Sequence, residues 1–107
     1  MLPLGTPVLH ILVALGRERL HGYGIMQGVR EKTKGTAKIL PGTLYTTLSR
    51  MLKDGLLQEV PAPANSPDDD RRSRYYEVTP WGREVLSAEL GRMAMLVRLG
   101  ERGLSRP

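Results

Sequence analysis

The sequence predicts a mainly α-helical chain with a small β-hairpin: three short helices, two strands joined by a long loop, and a longer closing helix. Two observations predict it. Gly and Pro divide the chain into short segments in which apolar residues recur at helical spacing. Two stretches rich in Leu, Val and Tyr then flank a loop rich in Pro and Asp, which is the pattern of a hairpin.

Thr6-Pro7 reads as an N-cap followed by Pro in the first helical position, and Gly16 as the end of that helix. Between them, Val8, Leu9, Ile11, Leu12, Val13 and Leu15 are apolar almost all round, so this helix is buried on several sides. A second helix runs from Gly22 to Lys34, with Ile25, Met26 and Val29 as its core face and Gly35 beyond it. Arg30, Lys32 and Lys34 suit the negative end of its dipole. Residues 37–39 read as a very short strand. Pro41 opens a third helix reaching about Asp54, with Leu44, Leu48, Met51 and Leu52 as its apolar stripe. Leu56–Val60 and Arg74–Thr79 are the hairpin strands, and residues 61–73 are loop. Thr79-Pro80 repeats the cap-and-Pro start, and the last helix extends from about Trp81 toward Leu99, with Gly100 and Gly103 expected to fray its end.

Composition narrows the class of protein. At 107 residues the chain fits one modest core. It has no Cys, so no disulfide framework is expected, and the cytoplasm is the expected compartment. No signal peptide is legible, and the first apolar run falls well short of the ~20 residues a membrane span needs. The net charge of +5 is unevenly placed: residues 1–55 carry eight basic and three acidic residues, whereas residues 56–107 carry eight of each. A basic half beside a neutral half points to a polyanionic partner, although a solvated basic surface reads the same way. His10 and His21 have no partner at metal-ligand spacing, and no Ser or carboxylate stands near either in sequence. No catalytic, cofactor or metal constellation is predicted. Gly22 and Gly24 form no phosphate loop and are read as allowing close helix packing.

Three helices followed by a hairpin is the winged helix-turn-helix order. The third helix fits the part of such a fold that reads DNA: one face must bury itself while the other carries groups for base edges and phosphates in a major groove ~12 Å wide. Thr43, Thr46, Thr47 and Ser49 replace the Glu and Lys that favour helix on ordinary surfaces. Arg50 can grip guanine or phosphate in a bidentate fashion, Tyr45 can donate to phosphate, and Lys53 extends the same face. An ordinary solvated amphipathic face remains the alternative. In the wing, Arg71, Arg72 and Arg74 can track a DNA backbone, but Asp68, Asp69 and Asp70 precede them and can pair with them instead.

In the closing helix, Leu86, Leu90, Met93 and Val97 follow the 4-3-4 spacing of a coiled-coil seam, and Val85, Leu96 and Leu99 widen it. A stripe this wide is expected to meet a second copy of the chain, with Leu9 and Leu12 of the first helix joining the interface; folding back on its own core is the alternative. Met93, Met95 and Trp81 can line a pocket between protomers, or simply fill core and interface, with Trp81 stapling the helix start to the hairpin. The expected division is residues 1–79 as a DNA-binding domain and 80–107 as a dimerisation helix.

Three blocks in one order resemble the PadR family of bacterial transcriptional regulators: Leu20-His21-Gly22-Tyr23-Gly24-Ile25; Pro41-Gly42-Thr43-Leu44-Tyr45 with Leu48 and Leu52-Lys53-Asp54-Gly55-Leu56; and Arg74-Tyr75-Tyr76-Glu77-Val78-Thr79-Pro80-Trp81-Gly82-Arg83-Glu84. The single helix after the wing is similar to the family's compact subgroup. The resemblance implies a winged-helix homodimer that binds a palindromic operator in double-stranded DNA. It also implies a repressor, released by a small-molecule effector near the dimer interface. By the same resemblance Tyr23 and Thr43-Leu44-Tyr45 face DNA, and Lys38 is counted with them. The long Pro- and Asp-containing wing departs from the family's shorter basic wing. A second reading is a winged-helix module whose basic half binds an acidic protein partner.

Overall fold

A computed structural model describes residues 2–68 and 70–105, so Asp69 of the predicted acidic run lies outside the described residues, as do Met1, Arg106 and Pro107 at the ends of the two expected domains. Helix α1 (Thr6–Leu15) starts one residue earlier than predicted, with Gly5 at the cap position and Pro7 in the first turn. Gly16, at φ +55°, ends it and donates its N–H to Leu12 O. Lys32 of the next helix reaches back to the open carbonyls of Val13 and Ala14, at 3.0 and 3.1 Å. Helix α2 (Gly22–Lys32) stops two residues before the predicted end. There Thr33 turns its hydroxyl onto Val29 O at 2.7 Å, and Lys34 and Gly35 both take positive φ.

Residues 37–39 form no strand. The Ala37 N–H is held by Thr33 Oγ1 at 3.1 Å rather than by a neighbouring strand, and Ile39 turns into the core while Lys38 stays exposed. Helix α3 (Pro41–Lys53) follows, with Pro41 as its first residue.

The sheet has three strands, not two: β1 (Leu20–His21), β2 (Leu57–Val60) and β3 (Tyr75–Val78), all antiparallel in the order β1-β3-β2. A two-residue strand carries no alternation, so β1 has no signature in the sequence. Its pairing of Leu20 with Tyr76 and His21 with Tyr75 ties the start of α2 to the wing strand. The β2–β3 loop, expected to be irregular, contains a single 3₁₀ turn at Asp70–Arg72.

Leu12, Leu15, Ile25, Val29, Leu44, Leu48, Met51, Leu56, Val78 and Val85 meet in one core. Helix α4 (Pro80–Ser105) is longer than predicted. Two glycines cost ~1 kcal/mol each in a helix but offer the backbone no competing hydrogen bonds, so Gly100 and Gly103 do not stop it. The Thr79 cap is as expected: its Oγ1 accepts the Gly82 N–H at 2.9 Å and is bonded to Gly55 O. Trp81 lies over the Gly55 turn, where the chain leaves α3 for the hairpin. Gly82, Val85 and Glu89 are buried, but every residue from Leu90 to Ser105 is exposed. The molecule is accordingly drawn out, with extents of 60 × 27 × 25 Å. No helix among the described residues is long and apolar enough to cross a membrane.

Candidate nucleic-acid interface

Helix α3 separates its faces as a groove-reading helix requires. Leu44, Leu48 and Met51 are buried, while Thr43, Tyr45, Thr46, Ser49, Arg50 and Lys53 are exposed. Thr46, Ser49, Arg50 and Lys53 share one shallow hollow with Asp54. Thr47 is half-buried and spends its hydroxyl on Thr43 O at 2.7 Å. At the start of α3, Leu40 gives no side-chain cap, so the N–H groups of Gly42 and Thr43 have no partner within the helix.

Beside this helix a cleft of about 560 Å³ opens between α2, α3 and the wing, lined by His21, Gly22, Tyr23, Tyr45, Asp70, Ser73, Arg74 and Tyr76. Tyr23 and Tyr45 are 62% and 53% exposed, unusual for tyrosines of a small core, and the Tyr23 hydroxyl accepts from Gln27 at 3.3 Å. Gly22 leaves room for Tyr45: a Cβ there would stand 2.8 Å from Tyr45 Oη. Gly24 lies against the His21 ring, so Gly22 allows the close approach of α3 through Tyr45, as expected, whereas Gly24 makes room for the capping imidazole. Burial, reinforced by the nearby Glu59 carboxylate, pushes the Tyr76 phenol above its usual range, so it stays a neutral donor. Lys38 is exposed and borders a neighbouring cleft with Tyr23, Gln27 and Arg30.

The wing arginines differ from one another. Arg71 is folded onto its own loop, donating to Ser66 O at 3.2 Å and Ala64 O at 3.0 Å, with Asp68 4.0 Å away. Arg72 is exposed. Arg74 is exposed, lies 3.7 Å from Glu59, and reaches the cleft beside Tyr23 and Tyr45.

His21 belongs to this cleft although sequence reasoning left it aside. It is the N-cap of α2, its Nδ1 accepting the Gly24 N–H at 2.9 Å, and its Nε2 lies 3.5 Å from Asp70. A His-Gly-Tyr-Gly run gives little sign of this role, because Ser, Thr, Asp and Asn are the usual N-caps.

The residues expected at a dimer interface also separate. Leu12 is 0% exposed within its own chain and has no surface to offer a partner; on a helix apolar nearly all round, spacing alone could not distinguish the core side from the outer side. Leu9 and Leu86 are half-buried, whereas Leu90, Met93, Leu96 and Val97 are exposed. Leu9, Val13, Leu90 and Met93 line an apolar groove of about 190 Å³ between α1 and α4, with Val29 and Lys32 of α2 as its remaining wall. Met95 and Trp81 do not line it. Among the described residues no group of His, Cys, Asp and Glu is placed to hold a metal ion.

The sequence model of the PadR-like transcriptional regulator family matches residues 11–88. The transcriptional regulator Rv3488 of Mycobacterium tuberculosis is 34% identical over 90 residues, covering 84% of this chain and 78% of that protein. Among solved structures, a PadR family transcription regulator from Clostridium difficile R20291 superposes with a TM-score of 0.75 at 24% identity, covering 94% of this chain and 100% of that one. Bacillus subtilis PadR in complex with operator DNA superposes with a TM-score of 0.66 at 19% identity, covering 82% of this chain and 48% of that one. The fold is thus shared with winged-helix regulators, one of them solved on its operator.

Proposed function

Since this chain belongs to the PadR-like family of transcriptional regulators, we propose that it binds a palindromic operator in double-stranded DNA as a homodimer and acts as a repressor that a small molecule releases. The family is one of transcription regulators, not enzymes. The observation that carries the reading is the outward polar face of α3, beside which Tyr23 and Arg74 line one cleft with Tyr45, and Lys38 a neighbouring one. Thr43, Tyr45, Thr46, Ser49, Arg50 and Lys53 then enter the major groove. Arg72 and Arg74 follow the adjacent backbone, and Arg71 joins them only by leaving its loop carbonyls.

In this reading residues 1–79 are the DNA-binding unit and 80–107 the dimerisation helix. Leu90, Met93, Leu96 and Val97 on the projecting half of α4 meet a second copy, and Leu9 and Leu86 border the seam. Two-fold symmetry sets the α3 helices about one DNA turn apart, ~34 Å. The groove between α1 and α4 is below the ~300 Å³ at which small-molecule pockets begin, so an effector site there is completed by the partner.

Selection of bound duplexes from a random pool tests the proposal. It expects an inverted repeat with half-sites one turn apart, bound by dimers with an affinity that falls steeply with salt. Arg50→Ala is expected to weaken operator binding by ~1–3 kcal/mol in a titration at fixed salt. Salt-sensitive binding without sequence preference would favour the module for an acidic protein partner instead.

A further inference from the structure

The wing loop reaches the helical body at one notable point. Among the described residues, the polar contact that links segment 61–73 to the rest of the molecule is Asp70 Oδ1 on His21 Nε2, at 3.5 Å. The other polar contacts of that segment stay inside it: Asp70 and Arg71 donate to Pro67 O, Ser73 to Asp70 O, and Arg71 to Ala64 O and Ser66 O. The loop is therefore hydrogen-bonded within itself, and its polar contact with the body, among the described residues, is this one carboxylate.

The other half of this contact is fixed independently of the loop. His21 is held by strand pairing with Tyr75, by stacking on that ring at 5.2 Å, and by capping α2. Because Nδ1 accepts the Gly24 N–H, the proton of the neutral ring sits on Nε2, the nitrogen that faces the cleft. The same cleft is lined by Tyr23, Tyr45, Ser73, Arg74 and Tyr76, residue types that can donate to a phosphate diester. Asp70 is the one carboxylate among the described lining residues.

We infer that His21 is a DNA-phosphate donor and that Asp70 occupies it in the DNA-free protein, so that the acidic wing competes with the duplex for this seat. A phosphate entering the cleft meets a like charge at the position it needs, and it takes over the Nε2–H only when Asp70 withdraws. The loop, hydrogen-bonded within itself, withdraws as a unit. The wing's acidic run, an oddity for a DNA-facing hairpin, thereby sets a threshold on binding. This inference rests on the DNA-binding reading above.

The test compares three variants of the full chain on a mixed-sequence duplex and on the selected operator. Asp70→Asn removes the carboxylate charge beside the seat and is expected to tighten binding about 1.5- to 5-fold, as relief of one partly exposed charge–charge contact with the phosphate would. Asp68→Asn removes the same charge from the same loop, at a side chain that is 99% exposed and away from His21, and is expected to change affinity less. His21→Asn keeps an N-cap but does not reach the seat; it is expected to weaken binding and to erase the extra gain from Asp70→Asn. In DNA-free protein, the imidazole ¹⁵N resonances of His21 are expected to move with Asp70→Asn and stay put with Asp68→Asn. Equal gains from the two Asp variants on DNA that the wild type binds, or an unmoved imidazole, overturn this inference alone. Failure of the wild type to bind any duplex overturns the DNA reading and this inference together.

Discussion

Helix α4 is one continuous rod with two unlike halves. From Pro80 to Glu89 it is set into the core, with Gly82, Val85 and Glu89 buried; from Leu90 to Ser105 every residue is exposed, with Leu90 and Met93 touching the body only at the groove beside α1. Its glycines mark the difference. A Cβ at Gly82 would lie 2.2 Å from Leu56 O and 2.8 Å from Val78 Cγ1, whereas at Gly91, Gly100 and Gly103 it would meet nothing within 4 Å. The same residue is thus demanded by a close backbone approach in one half and is only a helix-propensity cost in the other. The first half is finished by its own chain, and the second carries apolar side chains that its own chain leaves uncovered.

The sharpest way to break this contrast is Gly82→Ala. Its methyl would collide with a backbone carbonyl, which cannot rotate away as a side chain can. The Thr79 N–H bond to Leu56 O, at 3.1 Å, would be strained with it. We expect a loss of ~3 kcal/mol, read from the denaturant midpoint. A loss under ~0.5 kcal/mol would mean that α4 does not press on Leu56 and Val78 at Gly82.

Val97→Glu probes the other half. Val97 is 57% exposed in the single chain, so the winged core should keep its denaturation midpoint. In a two-fold dimer the substitution counts twice. At ~1.5 kcal/mol for each buried Val, dimerisation should weaken by about 3 kcal/mol, or ~100-fold, before any charge penalty. Sedimentation equilibrium reads this directly, and an unchanged oligomeric state would remove Val97 from the interface.

The two halves were also unequally legible in the sequence. The three helices, the hairpin and the outward face of α3 follow from 3.6-residue spacing and from Pro and Gly, and the structure agrees to within a residue or two. The apolar stripe at Leu90, Met93 and Val97 follows from spacing alone, and the structure leaves all three exposed. Three features were not legible. Strand β1 is too short to show a period, yet it brings His21 to the wing. His21 itself is an unusual cap, so its side chain gave no hint of its position. Leu12 looked like Leu9, because a helix surrounded on most sides carries no polar face to orient it. Each depends on contacts between residues far apart in the chain, which a local pattern cannot encode.

Gly100→Ala sharpens the contrast with a smaller effect. Gly100 stands three residues after Val97, in step with the 4-3-4 spacing of the proposed seam, and the space beside it is open in the single chain. Without close approach by a partner helix, alanine should stabilise α4 by ~0.5–1 kcal/mol, seen as a raised helix signal at 222 nm and a higher midpoint. A weaker dimer instead would place the partner backbone against Gly100, turning this glycine into a counterpart of Gly82.

Glu89 sits where the two halves meet, and it gives the smallest expected effect. It is the last buried residue of α4, with Oε2 accepting the Leu4 N–H at 2.7 Å and Oε1 bonded by Arg92. The Arg92 hydrogen bond, aided by Leu4, holds its carboxyl below the usual glutamate range despite burial. A carboxyl depressed in the folded state adds stability that is present above the unfolded value and lost as pH falls through the folded one. Arg92 is 40% exposed, so solvent screens the pair and the contribution is modest. Glu89→Gln keeps an acceptor for Leu4 but has nothing to titrate. Its midpoint should therefore fall less steeply than the wild type's below the usual glutamate range, while the two differ little at neutral pH. Parallel acid limbs in urea titrations would mean that the N-terminal segment is not held to α4 through this carboxylate, and that the buried half ends before residue 89.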